Sequence, residues 1–306
     1  MFAKGQSMRA DSHEIHSIIM STSKDFLHLL RSFSSDKKRP DGSQYISLSV
    51  KKISHLAEKT GKSLKDIELT ALKNNIVPER YCRNQISISN QGQQRLLQSH
   101  VAIIGLGGLG GAVTEILARV GTGRMTLIDG DVFDDSNLNR QLLSTVALLG
   151  ASKAITAARR VEEINPAVET TAHNTFFTAE NGRNLLDGVD LAIDCLDTIS
   201  DRFTLENICR ELNIPMVSAA IGGSCGQATL IFPEDPGLKL IYGDPDKTAK
   251  RGVEATLGTL PFAAVYMAAV ECAEAVTLLL GRQPELRKKL FLADTREHTS
   301  ELIDFT

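Results

Sequence analysis

Between residues 101 and 110 the chain reads VAIIGLGGLG, an apolar run ending in Gly105-x-Gly107-x-x-Gly110. Residues without a Cβ permit a sharp turn from a strand into a helix and let backbone N–H groups approach a phosphate. Asp129 ends the next apolar run, 24 positions after Gly105, where a carboxylate can accept hydrogen bonds from a ribose. This strand–turn–helix pattern predicts a nucleotide site and leaves NAD and ATP both open. The stretch that follows, DGDVFDDSNLNRQLLSTVALLGASKA, is more restrictive. It places Asp129, Asp131, Asn137, Arg140, Gln141 and Lys153 within 25 residues. Hydride transfer does not need so many cationic and amide groups beside a nucleotide. Phosphate chemistry does, because charge builds on the phosphate oxygens and must be met by fixed donors.

Each residue also has a plainer reading. Arg140 and Lys153 could be surface cations, and Asp129 could cap a strand end. Asp197 could be the N-cap of the segment after it, where Asp is favoured. The seven histidines form no metal-ligand pattern such as H-E-x-x-H, so structural or exposed roles are expected of them.

The elements that position these groups are legible in the hydrophobic pattern. Apolar runs at 101–105, 125–129, 189–195, 214–220 and 227–232 read as strands, and helical patterns lie at 110–120, 150–164, 200–212 and 259–281. Continuous apolar strands alternating with helices predict an α/β fold: a Rossmann-like, mostly parallel sheet with helices on both faces. Residues 289–305 read as a closing pair of strands. Before Pro78 the pattern differs. Residues 1–12 read as a disordered start, 13–33 as a helix, 34–43 as a loop and 44–50 as a short strand. Two short helices follow, at 51–59 and 63–74, with Gly61 between them and Ser63 as N-cap. This gives a small, mainly helical N-terminal module over 1–77 and a main domain over 78–306. The segment 51–74 loosely looks like a helix–turn–helix, a pattern common in hairpins that bind no DNA.

The 306 residues, 42% hydrophobic and 23% charged, fit a soluble globular protein with one large domain and one small one. The net charge of -3 gives no footing for nucleic acid or a membrane surface, although residues 1–77 carry 13 Lys+Arg against 8 Asp+Glu. No uninterrupted apolar run reaches the roughly 18 residues of a membrane span, and the N-terminus lacks the apolar region of a secretory signal. Cys82, Cys195, Cys209, Cys225 and Cys272 are widely spaced with no C-x-x-C, so neither a zinc site nor a disulfide framework is expected. A reducing, cytoplasmic setting follows.

The segments RYCRNQI (80–86), GLGGLG (105–110), LIDGD (127–131), SNLNRQ (136–141), GASKA (150–154) and DCLD (194–197) resemble, in order and spacing, those of the ThiF/MoeB/HesA family, the bacterial relatives of ubiquitin-activating enzymes. The resemblance covers about residues 78–306. It implies an ATP-dependent adenylyltransferase that activates the C-terminal glycine of a ubiquitin-like sulfur carrier of the MoaD/ThiS kind, releasing pyrophosphate. It further implies that Gly105, Gly107 and Gly110 lie beneath the phosphates and that Asp129 holds the ribose. Asn137, Arg140 and Lys153, with Gln141 beside them, would grip the triphosphate. Asp197 would bind magnesium and orient the attacking carboxylate, with Asp131 as a helper. Arg83 would reach across a homodimer interface to the partner's γ-phosphate. Activation of another carboxylate, on a modified tRNA base or a peptide, is the nearest alternative. A nucleotide-binding scaffold without turnover is another.

The chain departs from the family's pattern in two places. It has no pair of C-x-x-C motifs, so no zinc is expected. Residues 233–259 contain no cysteine, where many relatives carry one for thioester or persulfide chemistry. Cys225, in IGGSCGQ, is expected to be a small residue in a tight turn rather than a reactive thiol.

Overall fold

The computed structural model describes residues 23–247, 252 and 254–305. The expected disordered start, and the part of the first helix before Ser23, lie outside these residues. Two compact units divide after Gln94. In the first, α1 (Ser23–Phe33) precedes β1 (Ser35–Lys38) and β2 (Gln44–Leu48), and α2 (Val50–Thr60) and α3 (Leu64–Lys73) lead to β3 (Ile76–Pro78). Strand β2 pairs antiparallel with β1 and parallel with β3. Phe26, Leu30, Leu48, Ile53, Leu56, Ile67, Ala71 and Ile76 form its core. Gly61 ends α2 at φ 68°, and the Ser63 side chain caps α3 by accepting from Asp66 N, as the sequence implies. The stretch 34–43 was expected to be a loop, but it contains β1. An exposed edge strand needs only backbone pairing, and its Asp36, Lys37 and Lys38 discourage further pairing. The unit is thus helices on a three-stranded sheet. The composition change near Pro78 falls on β3, which completes that sheet.

Helix α4 (Asn90–Gln98) spans the division. The second unit runs β4 (His100–Ile104), α5 (Gly108–Val120), β5 (Arg124–Ile128), α6 (Lys153–Ile164), β6 (Glu169–His173), α7 (Gly182–Leu185), β7 (Leu191–Asp194), α8 (Ile199–Leu212), β8 (Met216–Gly222) and β9 (Cys225–Ile231). It continues through α9 (Lys239–Tyr242), α10 (Glu254–Leu257), α11 (Pro261–Leu279), β10 (Lys289–Asp294) and β11 (Thr299–Asp304). One eight-stranded sheet has the order β11-β10-β9-β8-β7-β4-β5-β6. Strands β6, β5, β4, β7 and β8 are parallel, and β9 to β11 continue the sheet antiparallel.

Alternate residues of each strand feed two cores. Val101, Ile103, Met125, Leu127 and Ile193 pack under α5, α6 and α11, while Ala102, Ile104, Ile128 and Ala192 pack against α8 and Phe177. Burial on both faces explains the uninterrupted apolar runs. Helix α11 is long and apolar enough to cross a membrane, but Met267, Ala268, Cys272 and Ala275 place it in the core beside α5. Strand β6, which carries only polar residues and one alanine, gave no sequence signal because it is an edge strand with partly exposed faces.

The chain builds β4, β5 and β6 outward in one direction and then returns to place β7 and β8 on the other side of β4. The reversal opens a crevice at the carboxyl ends of β4 and β7, where ligands of open α/β sheets bind.

Candidate active site

Gly105 leaves β4 at φ 89°, a conformation that side chains resist, and a Cβ there would stand 2.6 Å from the Cys195 carbonyl oxygen. The end of β4 therefore lies directly against the end of β7. At Gly110 a Cβ would overlap the Gly105 carbonyl, so α5 seats tightly on the turn only with glycine. Gly107 is the N-cap of α5 and supplies no side-chain cap. The first N–H groups of that helix are left to a ligand, with the positive end of its dipole.

Asp129 does more than the sequence suggests. Its carboxylate accepts from Leu106 N at 2.7 Å and from Asp131 N at 2.8 Å, tying the glycine turn to the end of β5. Burial raises its pKa, against the pull of those two N–H groups and of Lys153. Each carboxylate oxygen keeps a further acceptor position for a ribose hydroxyl. Lys153 opens α6 and is 6% exposed. Its Nζ lies 3.1 Å from Asp131 Oδ2, so Asp131 holds the lysine in place.

Asn137 lies in a short turn that accounts for its side-chain oxygen: its Oδ1 accepts from Asp134 N in a reciprocal cap, while its Nδ2 makes only a 3.4 Å contact to Ser136 Oγ. Arg140 packs against the helix start, with Cγ 3.5 Å from where a Cβ on Gly108 would be. Its guanidinium donates to Ser136 O at 2.9 Å and Asn139 Oδ1 at 2.8 Å. It has no carboxylate partner among the described residues, so its charge is available. Gln141 is buried beside Gly107, and its Oε1 has no hydrogen-bond partner. An unpartnered buried amide oxygen is costly, and a ligand donor would relieve it.

Asp197 follows β7 by three residues. It is exposed and makes no hydrogen bond or ion pair among the described residues. The N-cap of α8 is Thr198, whose side chain accepts from Asp201 N, so Asp197 is not occupied in capping. Arg83 lies in the first unit, exposed, after the turn Glu79–Tyr81.

Sequence reasoning missed the support beneath Asp197. Arg202, on α8, is buried and donates to Asp194 Oδ2 at 2.8 Å, to Ser218 Oγ, to Ala219 O and to the Leu196 carbonyl in close contact. Burial works against its charge, but Asp194 more than offsets this. Ser218 also donates to Asp194, at 2.6 Å. The backbone just before Asp197 is thereby clamped to β7 and β8. Glu271, on α11, is fully buried below the same turn, near Cys195 Sγ at 3.8 Å. Burial, and then the charge of Asp194, push its pKa well above the carboxylate range, which favours the protonated form. The only sequence signals were an arginine on a half-buried helix and one of two acids, Glu271 and Glu274, on a largely apolar one.

A glycine turn at a topological switch point, an uncapped helix start, Arg140, Lys153 and the unpartnered Asp197 thus lie along one carboxyl edge of the sheet. The ThiF family matches residues 81–304, and the chain belongs to it. It is an adenylyltransferase, in keeping with the names of its relatives, an activating enzyme E1 and an adenylyltransferase. The SAMP-activating enzyme E1 of Haloferax volcanii is 31% identical over 229 residues, 74% of this chain and 85% of that protein. The adenylyltransferase and sulfurtransferase MOCS3 of Drosophila yakuba is 32% identical over 221 residues, 70% of this chain but only 48% of that protein. The chain therefore spans about half of the MOCS3 length. The crystal structure of PaaA superposes with a TM-score of 0.62 over 74% of this chain and 82% of PaaA, at 22% identity, which shows a shared fold.

Proposed function

We propose that the protein uses ATP and magnesium to adenylate the C-terminal glycine carboxylate of a ubiquitin-like sulfur-carrier protein, releasing pyrophosphate. The observation that carries this reading is the glycine-built, uncapped start of α5, with Arg140 and Gln141 against it and Asp197 free across the crevice. A carboxylate is a poor nucleophile toward an anionic triphosphate. Arg140, Lys153 and the helix start reduce that repulsion and stabilise charge developing on the phosphates. Asn137 stands beside them as a further phosphate contact. The residues also suit magnesium, which keeps phosphate oxygens and waters as ligands and asks for one or two carboxylates. Asp197 supplies one, and when bound the ion would neutralise phosphate charge. The names of the relatives, an E1 that activates SAMP and an adenylyltransferase, support a protein carboxylate as acceptor.

An extended tail has a place to lie. A groove of about 880 Å³ is lined by Gly222, Gly223, Leu257, Leu260, Phe262 and Tyr266. It meets the phosphate segment at Thr259, which bridges Gly223 and accepts from Asn139 Nδ2 at 3.5 Å. Cys225 also lines this groove, but burial and Asp294 raise its thiol pKa, which disfavours a nucleophilic thiolate. We propose that the adenylate is the product handed on. A homodimer completes the reading: Leu138, Leu142 and Val146 are exposed on the segment that holds Arg140 and would face a second copy, whose Arg83 reaches the γ-phosphate. Incubating the protein with ATP, magnesium and a carrier ending in Gly-Gly should add AMP to the carrier, seen by intact mass spectrometry. An unmodified carrier together with an adenylated small carboxylate or tRNA would refute the assignment.

A further inference from the structure

Phe176 is 63% exposed, whereas its neighbour Phe177 is 7% exposed and lies in the core. The outward ring is not a loose loop tip. Asn174 is held by Ser152 Oγ at 2.9 Å, and the Phe176 carbonyl accepts from Asn181 Nδ2 at 2.8 Å. Asn181 Oδ1 in turn accepts from Thr178 N at 2.8 Å. The ring lies so close to Gly130 that a Cβ there would stand 2.8 Å from ring atoms Cγ and Cδ2. Gly130 separates Asp129 from Asp131. An exposed aromatic face is therefore fixed beside the residue that would hold the ribose.

The order of strands at the carboxyl edge gives this face an occupant. Reading across β7, β4, β5 and β6, the edge presents Asp197, the glycine turn, Asp129 and then Phe176. Metal-holding acid, phosphate cradle and ribose acceptor thus follow one another, and the next group of a nucleotide along that line is its base. We propose that Phe176 is the stacking platform for the purine base, an inference that rests on the nucleotide-site reading above. A phenyl ring makes no hydrogen bond to a base edge, so the platform itself supplies affinity and orientation rather than a choice between adenine and guanine.

The chain contains no tryptophan, so Phe176→Trp installs a single reporter while keeping an aromatic face. Calorimetry on the full chain should show that Phe176→Ala weakens ATP and AMP roughly ten-fold and leaves inorganic triphosphate unchanged, with Phe176→Trp restoring ATP affinity. ATP should quench the indole emission of the Phe176→Trp variant, and inorganic triphosphate should not. ATP affinity of Phe176→Ala equal to that of the wild type would overturn the platform, as would equal quenching by both ligands. Unchanged ATP binding with lost carrier binding would also overturn it and make this a protein-docking residue. If the wild-type chain bound no ATP, the nucleotide reading would fall, and the platform with it.

Discussion

Asp197 and Arg140 matter because neither is used to hold the fold together. Asp197 has no partner among the described residues, and Arg140 donates only to an exposed carbonyl and an exposed amide. Asp197→Ala should therefore abolish adenylate formation while leaving the melting temperature within a degree or two, a pairing checked by pyrophosphate release and thermal denaturation. Arg140→Ala should lower turnover on the order of 100-fold, the cost of losing one fixed transition-state donor. Near-normal turnover in either variant would remove the assigned role. Lys153 is different, because it is buried and its ion pair with Asp131 ties the start of α6 to the segment after β5. Lys153→Ala should lose turnover to a similar degree and some stability as well, and Asp131→Asn should show whether that acid does more than hold the lysine.

At the scale of elements, the clamp formed by Arg202 joins β7, β8 and α8 to the turn bearing Asp197. Arg202→Lys keeps a charge but cannot reach four acceptors with a planar fork. The variant should need several-fold more magnesium for half-maximal rate, while its ATP affinity measured without metal stays close to that of wild type. A fall in both together would make Arg202 a purely structural residue. Glu271 gives a pH signature. Its folded pKa lies above its unfolded value, so the proton it holds favours folding below about the model-compound value, near 4.3. That contribution is lost progressively as pH rises toward the folded pKa. Glu271→Gln should flatten this part of the profile, raising the melting temperature relative to wild type at pH 8 and hardly at all at pH 4. An equal effect at both pH values would mean that Glu271 is ionised in the fold.

For the molecule as a whole, much of the second unit was legible because its strands are buried on both faces and its glycines are dictated by contact. Gly105 and Gly110 admit no Cβ, so their spacing carries the turn directly into the sequence. Arg140, Gln141 and Lys153 were legible because they follow Asp129 within 25 residues; Arg140 and Gln141 lie against the glycine turn, and Lys153 lies against Asp131. Residues whose role depends on distant partners were not legible. Arg202 meets Asp194, Ser218 and Leu196 only after α8 folds back on the sheet. Phe176 and Phe177 look alike until one is buried and the other is left outside. The edge strands β1 and β6 escaped because polar strands paired on one side carry no alternation to read.

The central claim is that the crevice between β4 and β7 joins a carboxylate to the α-phosphorus of ATP with Asp197 in attendance. Carrier-dependent exchange of labelled pyrophosphate into ATP reads that step alone. Robust exchange by the wild-type protein, needing both magnesium and a carrier with a free Gly-Gly terminus, and background exchange by Asp197→Ala, is the expected result. Exchange that survives in Asp197→Ala, or that never exceeds background with any carboxylate although ATP binds, would contradict it.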